Sequence, residues 1–227
     1  MNYGYFRYDF KPQLSQEDEK ERFPIHLYHY LCSKSSVKNV RVLEVGCGRG
    51  GGADYIVRTF SPKEYYALDI SPTAIQLCNN FYNIDNLSFH EGSADKLPFD
   101  SQFFDIVINV ESSHCYPNFH KFLSEVKRVL KPEGQLLITD FRSRSEFSDF
   151  DKLIHENFEI ISYEDITNNI LLALDKMSEK RKKQIKYFLP NFLSDISSSF
   201  AGIKGSELYE SFVKKELVYH MYTLKSI

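Results

Sequence analysis

Short runs of β-forming residues alternate with helical segments along the first 140 residues, and this order limits the folds open to the chain. Five strands rich in aliphatic and aromatic residues are predicted at 40–45, 64–69, 87–91, 103–110 and 135–140. The helices are predicted at 17–34, at 52–60, from 72 to about 82 and at 118–130, with a turn at KPEG, 131–134. Because parallel neighbours need a crossover connection, this alternation predicts a doubly wound, mostly parallel sheet.

The last third of the chain completes the sheet around a helical insertion. FEIISYED, at 158–165, predicts a sixth strand, and LVYHMYTL, at 217–224, predicts a seventh. The segment between them, 166–215, has mostly helical character, and its basic run at 180–183 is interpreted as a solvated helix face. We therefore expect one α/β domain, 1–227, with a seven-stranded sheet and a helical insertion before the last strand.

The composition excludes several classes of partner and site. A net charge of -3 gives no electrostatic footprint for nucleic acid. The four cysteines, at Cys32, Cys47, Cys78 and Cys115, include no C-x-x-C pair, which argues against a zinc cluster or a disulfide scaffold. No His, Asp and Glu cluster has metal-ligand spacing, so no metal is expected. With no apolar run of about 18 residues and no signal peptide, we expect a cytoplasmic protein without stable membrane insertion.

A glycine-rich turn follows the first strand. EVGCGRGGG contains the pattern G-x-G-x-x-G at Gly46, Gly48 and Gly51, which lets the backbone approach a ligand closely. Asp69 ends the second strand, 21 residues after Gly48, and a carboxylate there can accept both hydroxyls of a ribose. The carboxyl ends of parallel strands share one edge of the sheet, so we expect this turn, Asp69 and the stretch 109–114 to face one crevice.

Two cofactors that carry an adenosine fit this arrangement, a nicotinamide dinucleotide and S-adenosylmethionine. Glu44 lies two residues before Gly46 and points toward the turn. An anion there repels a pyrophosphate but attracts the ammonium of a methionyl group, and a charge in a buried strand needs a partner. Together with the absence of a second mononucleotide-binding half, Glu44 favours S-adenosylmethionine over the cofactor of a nicotinamide oxidoreductase.

The ordered motifs VLEVGCGRGGG, ALDIS and GSADKLPFDSQFFDIVINVESSHCYP resemble those of class I S-adenosylmethionine-dependent methyltransferases, over roughly residues 40–142. ESSHCYP and the opening NYGYF are similar to the glycolipid and phthiotriol O-methyltransferases in particular. The resemblance implies a Rossmann-like fold, S-adenosylmethionine as cofactor, and methyl transfer to a hydroxyl of a small, apolar or amphipathic acceptor. An N- or C-methyltransferase and a non-catalytic cofactor-binding protein stay as alternatives, and the oligomeric state stays open.

The resemblance also implies roles for residues around the cofactor. From the methionine end to the adenine they are Glu44, Gly46, Gly48, Asn109, Asp69, Ile70 and Ala94. The first four would line the methionine moiety, the aspartate would bind the ribose hydroxyls, and the last two would meet the adenine. Many members of the family have Asp where this chain has Ser93, so the adenine amino group would meet either Ser93 or Asp95.

His114 is our candidate for the general base. It lies a few residues past the fourth strand, and a histidine titrates near neutral pH, so it can take a hydroxyl proton as the oxygen attacks. Asp140 ends the fifth strand and can hold the imidazole in the right tautomer. Similar sugar O-methyltransferases have a histidine and an aspartate at these positions, and some have a second histidine where this chain has Cys115. The alternative is that His114 only hydrogen-bonds the loop.

Two segments are predicted to enclose the acceptor and to become ordered when ligands bind. They are an N-terminal lid and helix, 1–35, and a helical cap, 166–215, which flank a cofactor-binding core at 36–142. The cap carries apolar residues that pack on the sheet or face the acceptor: Ile170, Leu171, Leu174, Met177, Ile185, Phe188, Leu189, Phe192 and Leu193. The aromatic content of 15% indicates either an aromatic-walled pocket or a compositional bias alone, and the dense aromatic residues of the opening ten positions argue against a disordered tail.

Overall fold

The computed structural model describes residues 2–188 and 202–227, without the side chains of 184–188. Seven strands of this described part form one sheet in the order β3-β2-β1-β4-β5-β7-β6. They are β1 Arg41–Val45, β2 Glu64–Asp69, β3 Leu87–Glu91, β4 Phe104–Val110, β5 Leu130–Ser143, β6 Phe158–Asp165 and β7 Leu217–Ser226. β1 to β5 are parallel, and β7 runs antiparallel between β5 and β6. The predicted mostly parallel, seven-stranded sheet is confirmed.

Helices cover both faces of this sheet. Within the described ranges they are α1 Arg22–Cys32, α2 Gly51–Phe60, α3 Pro72–Phe81, α4 Phe119–Val129, α5 Arg144–Asn157, α6 Thr167–Phe188 and α7 Glu207–Val213. Buried side chains of α1, α2, α3, α6 and α7 pack in one core, and those of α4 and α5 pack in the other. Right-handed crossovers produce this division, so the doubly wound arrangement is confirmed.

α5 is a helix that the predicted order of elements does not include. A capping box starts it: Ser143 Oγ accepts the backbone N–H of Glu146, and the Glu146 carboxylate accepts the backbone N–H of Ser143, both at 3.3 Å. Phe150 and Ile154 then bury one face of the helix. The S-x-x-E spacing at 143–146 is the sequence signal that predicts its start.

β5 is longer than predicted at both ends. KPEG, predicted as a turn before the strand, lies inside it as an irregularity where the pairing with β4 shifts register, and Glu133 there has a left-handed φ of 65°. At the other end the strand continues past Asp140 to Ser143, because residues 140–143 pair with β7 after β4 has ended. The prediction that Asp140 ends the strand is therefore wrong, and Asp140 lies beside the loop that follows β4.

The insertion at 166–215 contains α6 and α7 in its described part. Ile170, Leu174 and Met177 of α6 are buried in the core, and Leu171 is partly buried against it. Those four residues pack on the sheet side of the helix. The other predicted cap residues lie outside the described side chains: Ile185, Phe188, Leu189, Phe192 and Leu193.

The basic run on α6 is not uniformly solvated, so that interpretation is wrong for Arg181. The three lysines of the run are exposed, whereas Arg181 keeps only 6% of its surface exposed. It follows Met177 by one helical turn and therefore shares the buried face. Its Nη2 donates to the carbonyl oxygen of Asn2 at 3.0 Å, so the run ties α6 to the N-terminal segment.

Glu44 holds α1 against the sheet from inside the core. Its side chain is fully buried, and its carboxylate oxygens accept the hydroxyl of Tyr28 in α1 at 2.8 Å and the hydroxyl of Tyr65 in β2 at 2.9 Å. Burial raises the pKa of Glu44 to about 7, although both hydroxyl bonds favour the charged form. The partner that a buried carboxylate requires is thus a pair of tyrosines.

Glu44→Gln is expected to become more stable, relative to the native protein, as the pH rises. A carboxylate whose folded-state pKa exceeds its unfolded value binds more protons when folded, so its contribution to the free energy of unfolding falls between about pH 5 and pH 8. An amide does not titrate, so it does not lose this contribution. The difference in the free energy of unfolding between the two proteins should therefore grow by about 1–3 kcal/mol over this range. Urea unfolding of the ligand-free proteins at each pH measures it.

Glu156→Gln is the matched control for this experiment, because Glu156 is an exposed carboxylate on α5. Its effect on the free energy of unfolding should be small. The raised pKa of Glu44 would be contradicted if the free energies of unfolding of Glu44→Gln and the native protein differed by the same amount from acid to mild alkali.

Candidate active site

The crevice lies where the turn after β1 meets the loop after β4. Gly46 and Gly48 have positive φ values of 85° and 54°, which glycine adopts most readily. A Cβ on Gly46 would lie 1.9 Å from Ser112 Oγ, so glycine is needed for the turn to fit against the loop. A Cβ on Gly48 would meet no atom within 4 Å. The backbone at Gly48 therefore borders open space, where a ligand can approach it.

Asp69 is fixed across the mouth of the glycine turn. Its two carboxylate oxygens accept the backbone N–H groups of Gly48 at 2.8 Å and of Ser71 at 2.9 Å. Next to it, Ile70 keeps 72% of its surface exposed. A fixed carboxylate beside an exposed apolar side chain matches the polar ribose and the apolar base of an adenosine.

The loop after β3 offers a carboxylate oxygen without a partner. Ser93 Oγ accepts the backbone N–H of Asp95 at 3.2 Å, which engages the serine in its own turn. Asp95 Oδ1 is buried and has no hydrogen-bond partner among the described residues. Ala94 packs against the core between them. Of the two alternatives for the adenine amino group, this arrangement favours Asp95 over Ser93.

Asn109, near the end of β4, has a second buried acceptor without a partner among the described residues. Its Nδ2 donates to the carbonyl oxygen of Val45 and to the hydroxyl of Tyr116, both at 2.9 Å, which fixes the amide. Its Oδ1 has no partner within the part of the chain that the structure describes. Leaving such an acceptor unpaired costs about 1–3 kcal/mol, so a ligand that brings a donor gains by binding here. An ammonium group, as in a methionine moiety, is such a donor.

The structure brings His114 and Asp140 together. The Nδ1 of His114 lies 2.8 Å from Asp140 Oδ1, and the backbone N–H of His114 donates to Asp140 Oδ2 at 2.9 Å. Ser113 Oγ donates to the same Oδ2 at 2.6 Å. The His114 side chain is 28% exposed, whereas that of Asp140 is fully buried. With Nδ1 bound to the carboxylate, the neutral imidazole has its acceptor lone pair on Nε2, on the other side of the ring.

Asp140 stays ionised in spite of its burial. Burial raises the pKa of its carboxyl, but the hydrogen bond from His114 and the charge of Arg142 outweigh burial, so the pKa lies below its usual range. Arg142 Nη1 lies 3.2 Å from Asp140 Oδ2, and Nη2 donates to Ser113 Oγ at 2.8 Å. Arg142 and Ser113 are not among the site residues predicted from the sequence. Arg142 follows Asp140 by two positions, a spacing that places both on one side of a strand.

Aromatic side chains from distant segments stand beside His114. The ring centroid of Phe141 lies 4.4 Å from that of His114 and 5.6 Å from that of Tyr3. The ring of Phe212, in α7, lies 6.0 Å from the rings of both Tyr3 and Phe141. We call Tyr3, Phe141 and Phe212 the aromatic wall. The N-terminal segment and the end of the insertion thus meet on one side of the His114–Asp140 pair.

Glu111 is a second carboxyl group at this edge, and the sequence analysis gives it no role. It follows β4 with a positive φ of 45°, a conformation that is uncommon outside glycine. Its Oε1 accepts the backbone N–H of Tyr3 at 2.7 Å and the hydroxyl of Tyr219 at 2.8 Å. Burial raises the pKa of Glu111 to about 7. The sequence feature that could have identified Glu111 is the polar run ESSHC, which directly follows an apolar strand.

Among the described residues, no group of three or more His, Cys, Asp and Glu side chains is arranged to hold a metal ion. No helix in those same ranges is long and apolar enough to cross a membrane.

Comparisons with known proteins agree with this geometry. A family model described as a methyltransferase domain matches residues 36–215. The chain is 37% identical, over 211 residues, to the phthiotriol/phenolphthiotriol dimycocerosates methyltransferase of Mycobacterium leprae (strain TN), covering 92% of this chain and 78% of that protein. It is also 37% identical, over 226 residues, to a fatty-acid O-methyltransferase of Mycolicibacterium smegmatis (strain ATCC 700084 / mc(2)155), covering 98% of this chain and 81% of that protein.

A solved structure supports the fold independently of sequence. Geranyl diphosphate C-methyltransferase from Streptomyces coelicolor A3(2), in complex with Mg2+, geranyl diphosphate and S-adenosyl-L-homocysteine, superposes with a TM-score of 0.73 at 16% identity, covering all of this chain and 93% of that one. At that identity the likeness establishes the fold, and the sequence relatives establish the family. The chain therefore belongs to the methyltransferase family and is an enzyme that uses S-adenosylmethionine as its methyl donor.

Proposed function

We propose that this enzyme methylates a hydroxyl group of a small, lipid-like molecule. The observation that carries the proposal is the His114–Asp140 pair at the crevice, since a neutral hydroxyl must lose its proton as its oxygen attacks. The bound cofactor supplies the methyl group as an electrophile. His114 Nε2 takes the hydroxyl proton as the new carbon–oxygen bond forms and the carbon–sulfur bond breaks. Asp140 holds Nδ1 and stabilises the imidazolium that results.

The crevice residues would hold the cofactor in one orientation. Asp69 would accept the ribose hydroxyls, while the exposed Ile70 and the backbone of Ala94 would meet the adenine, with Asp95 or Ser93 at its amino group. The unpaired Asn109 Oδ1 would accept a donor of the methionine moiety. The residues proposed with it at the methionine end are Glu44, Gly46 and Gly48. Both oxygens of Glu44 are engaged with Tyr28 and Tyr65, so its proposed role there is to shape the core behind the turn.

A hydroxyl acceptor fits the site better than a carboxylate acceptor. A carboxylate is already an anion at neutral pH and needs no base, so the His114–Asp140 pair would have no proton to move. The need for a base therefore favours a neutral hydroxyl over a fatty-acid carboxylate, although one relative is a fatty-acid O-methyltransferase.

The surroundings of the pair suit an apolar or amphipathic acceptor. The aromatic wall lines one side of His114, and we propose that the segments 1–35 and 166–215 enclose the acceptor while 36–142 holds the cofactor. The net charge of -3 accords with a small-molecule acceptor and not with nucleic acid. A cytoplasmic location, expected from the sequence, is part of the same proposal.

Asp69→Ala is expected to weaken S-adenosylmethionine binding by about 1–3 kcal/mol, because hydrogen bonds to a charged group are lost. Isothermal titration calorimetry with S-adenosylmethionine and with S-adenosylhomocysteine measures the change. Asp100→Ala, at an exposed position away from the crevice, is the control and should bind as the native protein does. Equal affinity in the Asp69→Ala and Asp100→Ala proteins would rule out the ribose assignment.

His114→Ala is expected to keep the cofactor affinity and to lower turnover by about 10²–10⁴-fold, the usual contribution of a general base. Asp140→Asn should lower turnover too, because the amide neither fixes the tautomer nor stabilises the imidazolium. His120→Ala, an exposed histidine on α4, is the control. If the loss in His114→Ala is less than about tenfold, positioning and not base catalysis drives the reaction.

The acceptor class is tested with two probes of equal chain length, a long-chain secondary alcohol and the corresponding fatty acid, each with methyl-labelled S-adenosylmethionine. Mild alkali hydrolyses a methyl ester but leaves a methyl ether intact. We expect labelled product that survives alkali and disappears in His114→Ala. Alkali-labile product, formed from the fatty acid and undiminished in His114→Ala, would show that the acceptor is a carboxylate.

A further inference from the structure

We infer that Glu111 is a positioning residue that holds the N-terminal segment, residues 2–10, in place as one side of the acceptor site. The inference rests on the proposed function in so far as the acceptor binds beside His114. It assigns a role to a carboxyl group that lies at the catalytic edge and takes no part in the chemistry described above.

The chain turns at Glu111, directly after β4. Glu111 is the first residue after β4, and its N–H still donates to the carbonyl oxygen of Thr139 in β5 at 2.9 Å. Its positive φ of 45° turns the chain at that point. A non-glycine residue keeps this conformation only where surrounding contacts impose it. The hydrogen bonds of its carboxyl group are among these contacts.

One carboxyl oxygen of Glu111 joins three distant parts of the chain. Oε1 accepts the backbone N–H of Tyr3 and the hydroxyl of Tyr219 in β7, and each partner is 108 residues away in sequence. Oε1 therefore links the end of β4, the N-terminal segment and the last strand. Because the bond to Tyr3 uses the backbone, it fixes the path of the segment and not only one side chain.

Other contacts hold the segment on both sides of Tyr3. The carbonyl oxygen of Asn2 accepts from Arg181 Nη2 at 3.0 Å, and Asn2 Nδ2 donates to the carbonyl oxygen of Pro24 at 3.2 Å. The N–H of Tyr5 donates to the carbonyl oxygen of Phe23 at 2.9 Å. These bonds attach the segment to α1 and α6, whereas the Glu111 bond attaches it to the strand end that leads into the loop of His114. Loss of the Glu111 bond should therefore let Tyr3 shift while the residues on either side of it stay attached.

The position of Tyr3 decides the shape of the space beside the base. The rings of Tyr3, Phe141 and His114 follow one another at centroid distances of 5.6 and 4.4 Å. A shift of Tyr3 would open the aromatic wall without touching the His114–Asp140 pair or the cofactor residues. Glu111 therefore acts on acceptor binding through Tyr3.

The proposed role needs a carbonyl-type oxygen and not a negative charge. Oε1 accepts both bonds whether or not the carboxyl group is protonated, and an amide oxygen can replace it. Glu111→Gln is thus the conservative variant and Glu111→Ala the disruptive one. If Glu111 took part in proton transfer, both variants would lose turnover alike, since neither could take a proton.

Steady-state kinetics on a long-chain secondary alcohol tests the role. Glu111→Ala should raise the KM for the alcohol by about tenfold or more and lower kcat by less than about threefold, with unchanged affinity for S-adenosylhomocysteine. Glu111→Gln should restore a KM close to that of the native enzyme. Equal loss of kcat in both variants would overturn the inference, because it would place the carboxylate in the chemistry.

A spectroscopic measurement tests the same inference without an acceptor. The chain has no tryptophan, so Tyr3→Trp introduces a single reporter in the aromatic wall. Adding Glu111→Ala should shift its emission to the red and increase quenching by acrylamide, whereas adding Glu111→Gln should not. Tyr8→Trp, at a side chain that is 70% exposed, is the control and should respond to neither change.

The two measurements separate this inference from the proposed function. If the alcohol is not methylated but the reporter responds as expected, the proposed acceptor is wrong and Glu111 still holds the segment. If the emission of the Tyr3→Trp protein is the same with Glu111→Ala as without it, the inference is wrong whatever the acceptor is.

Discussion

The buried charge of Asp140 organises the catalytic edge of this enzyme. Its carboxylate is removed from water, and a buried anion is tolerated only where donors and positive charge compensate it. Donors come from the Ser113 hydroxyl, the backbone N–H groups of His114 and Phe141, and the His114 ring, and Arg142 supplies the positive charge. The loop after β4 is therefore wrapped around the carboxylate. The orientation of the His114 ring follows from that wrapping.

The antiparallel β7 makes this arrangement possible. β4 and β5 are paired up to Val110 and Thr139, and β5 alone continues through residues 140–143 because β7 pairs with it there. The side chain of Asp140 consequently faces a loop and not a neighbouring strand. β7 also brings Tyr219 to Glu111, so one strand supports both the carboxylate beside His114 and the carboxyl group that binds the N-terminal segment.

Periodicity and turn chemistry predict the parts of this fold that local sequence determines. The seven strands, the glycine turn and the cap at Ser71 follow from residues within a few positions of one another. The extra length of β5 and the burial of Arg181 do not, because each depends on an element elsewhere in the chain. The same holds for the candidate site: the pairing of His114 with Asp140 follows from strand order, whereas the bond from Tyr3 to Glu111 joins residues 108 positions apart. The sequence pattern contains no trace of that contact.

Fold alone does not decide what the crevice binds, but its unpaired atoms limit the choice. Asn109 Oδ1 and Asp95 Oδ1 are buried acceptors without partners in the described residues, near the ends of β4 and β3. A ligand that brings a donor to either atom would recover a hydrogen bond that the free protein lacks, worth about 1–3 kcal/mol at each place. S-adenosylmethionine has an amino group at each end, so we propose that these two acceptors contribute to the selection of this cofactor.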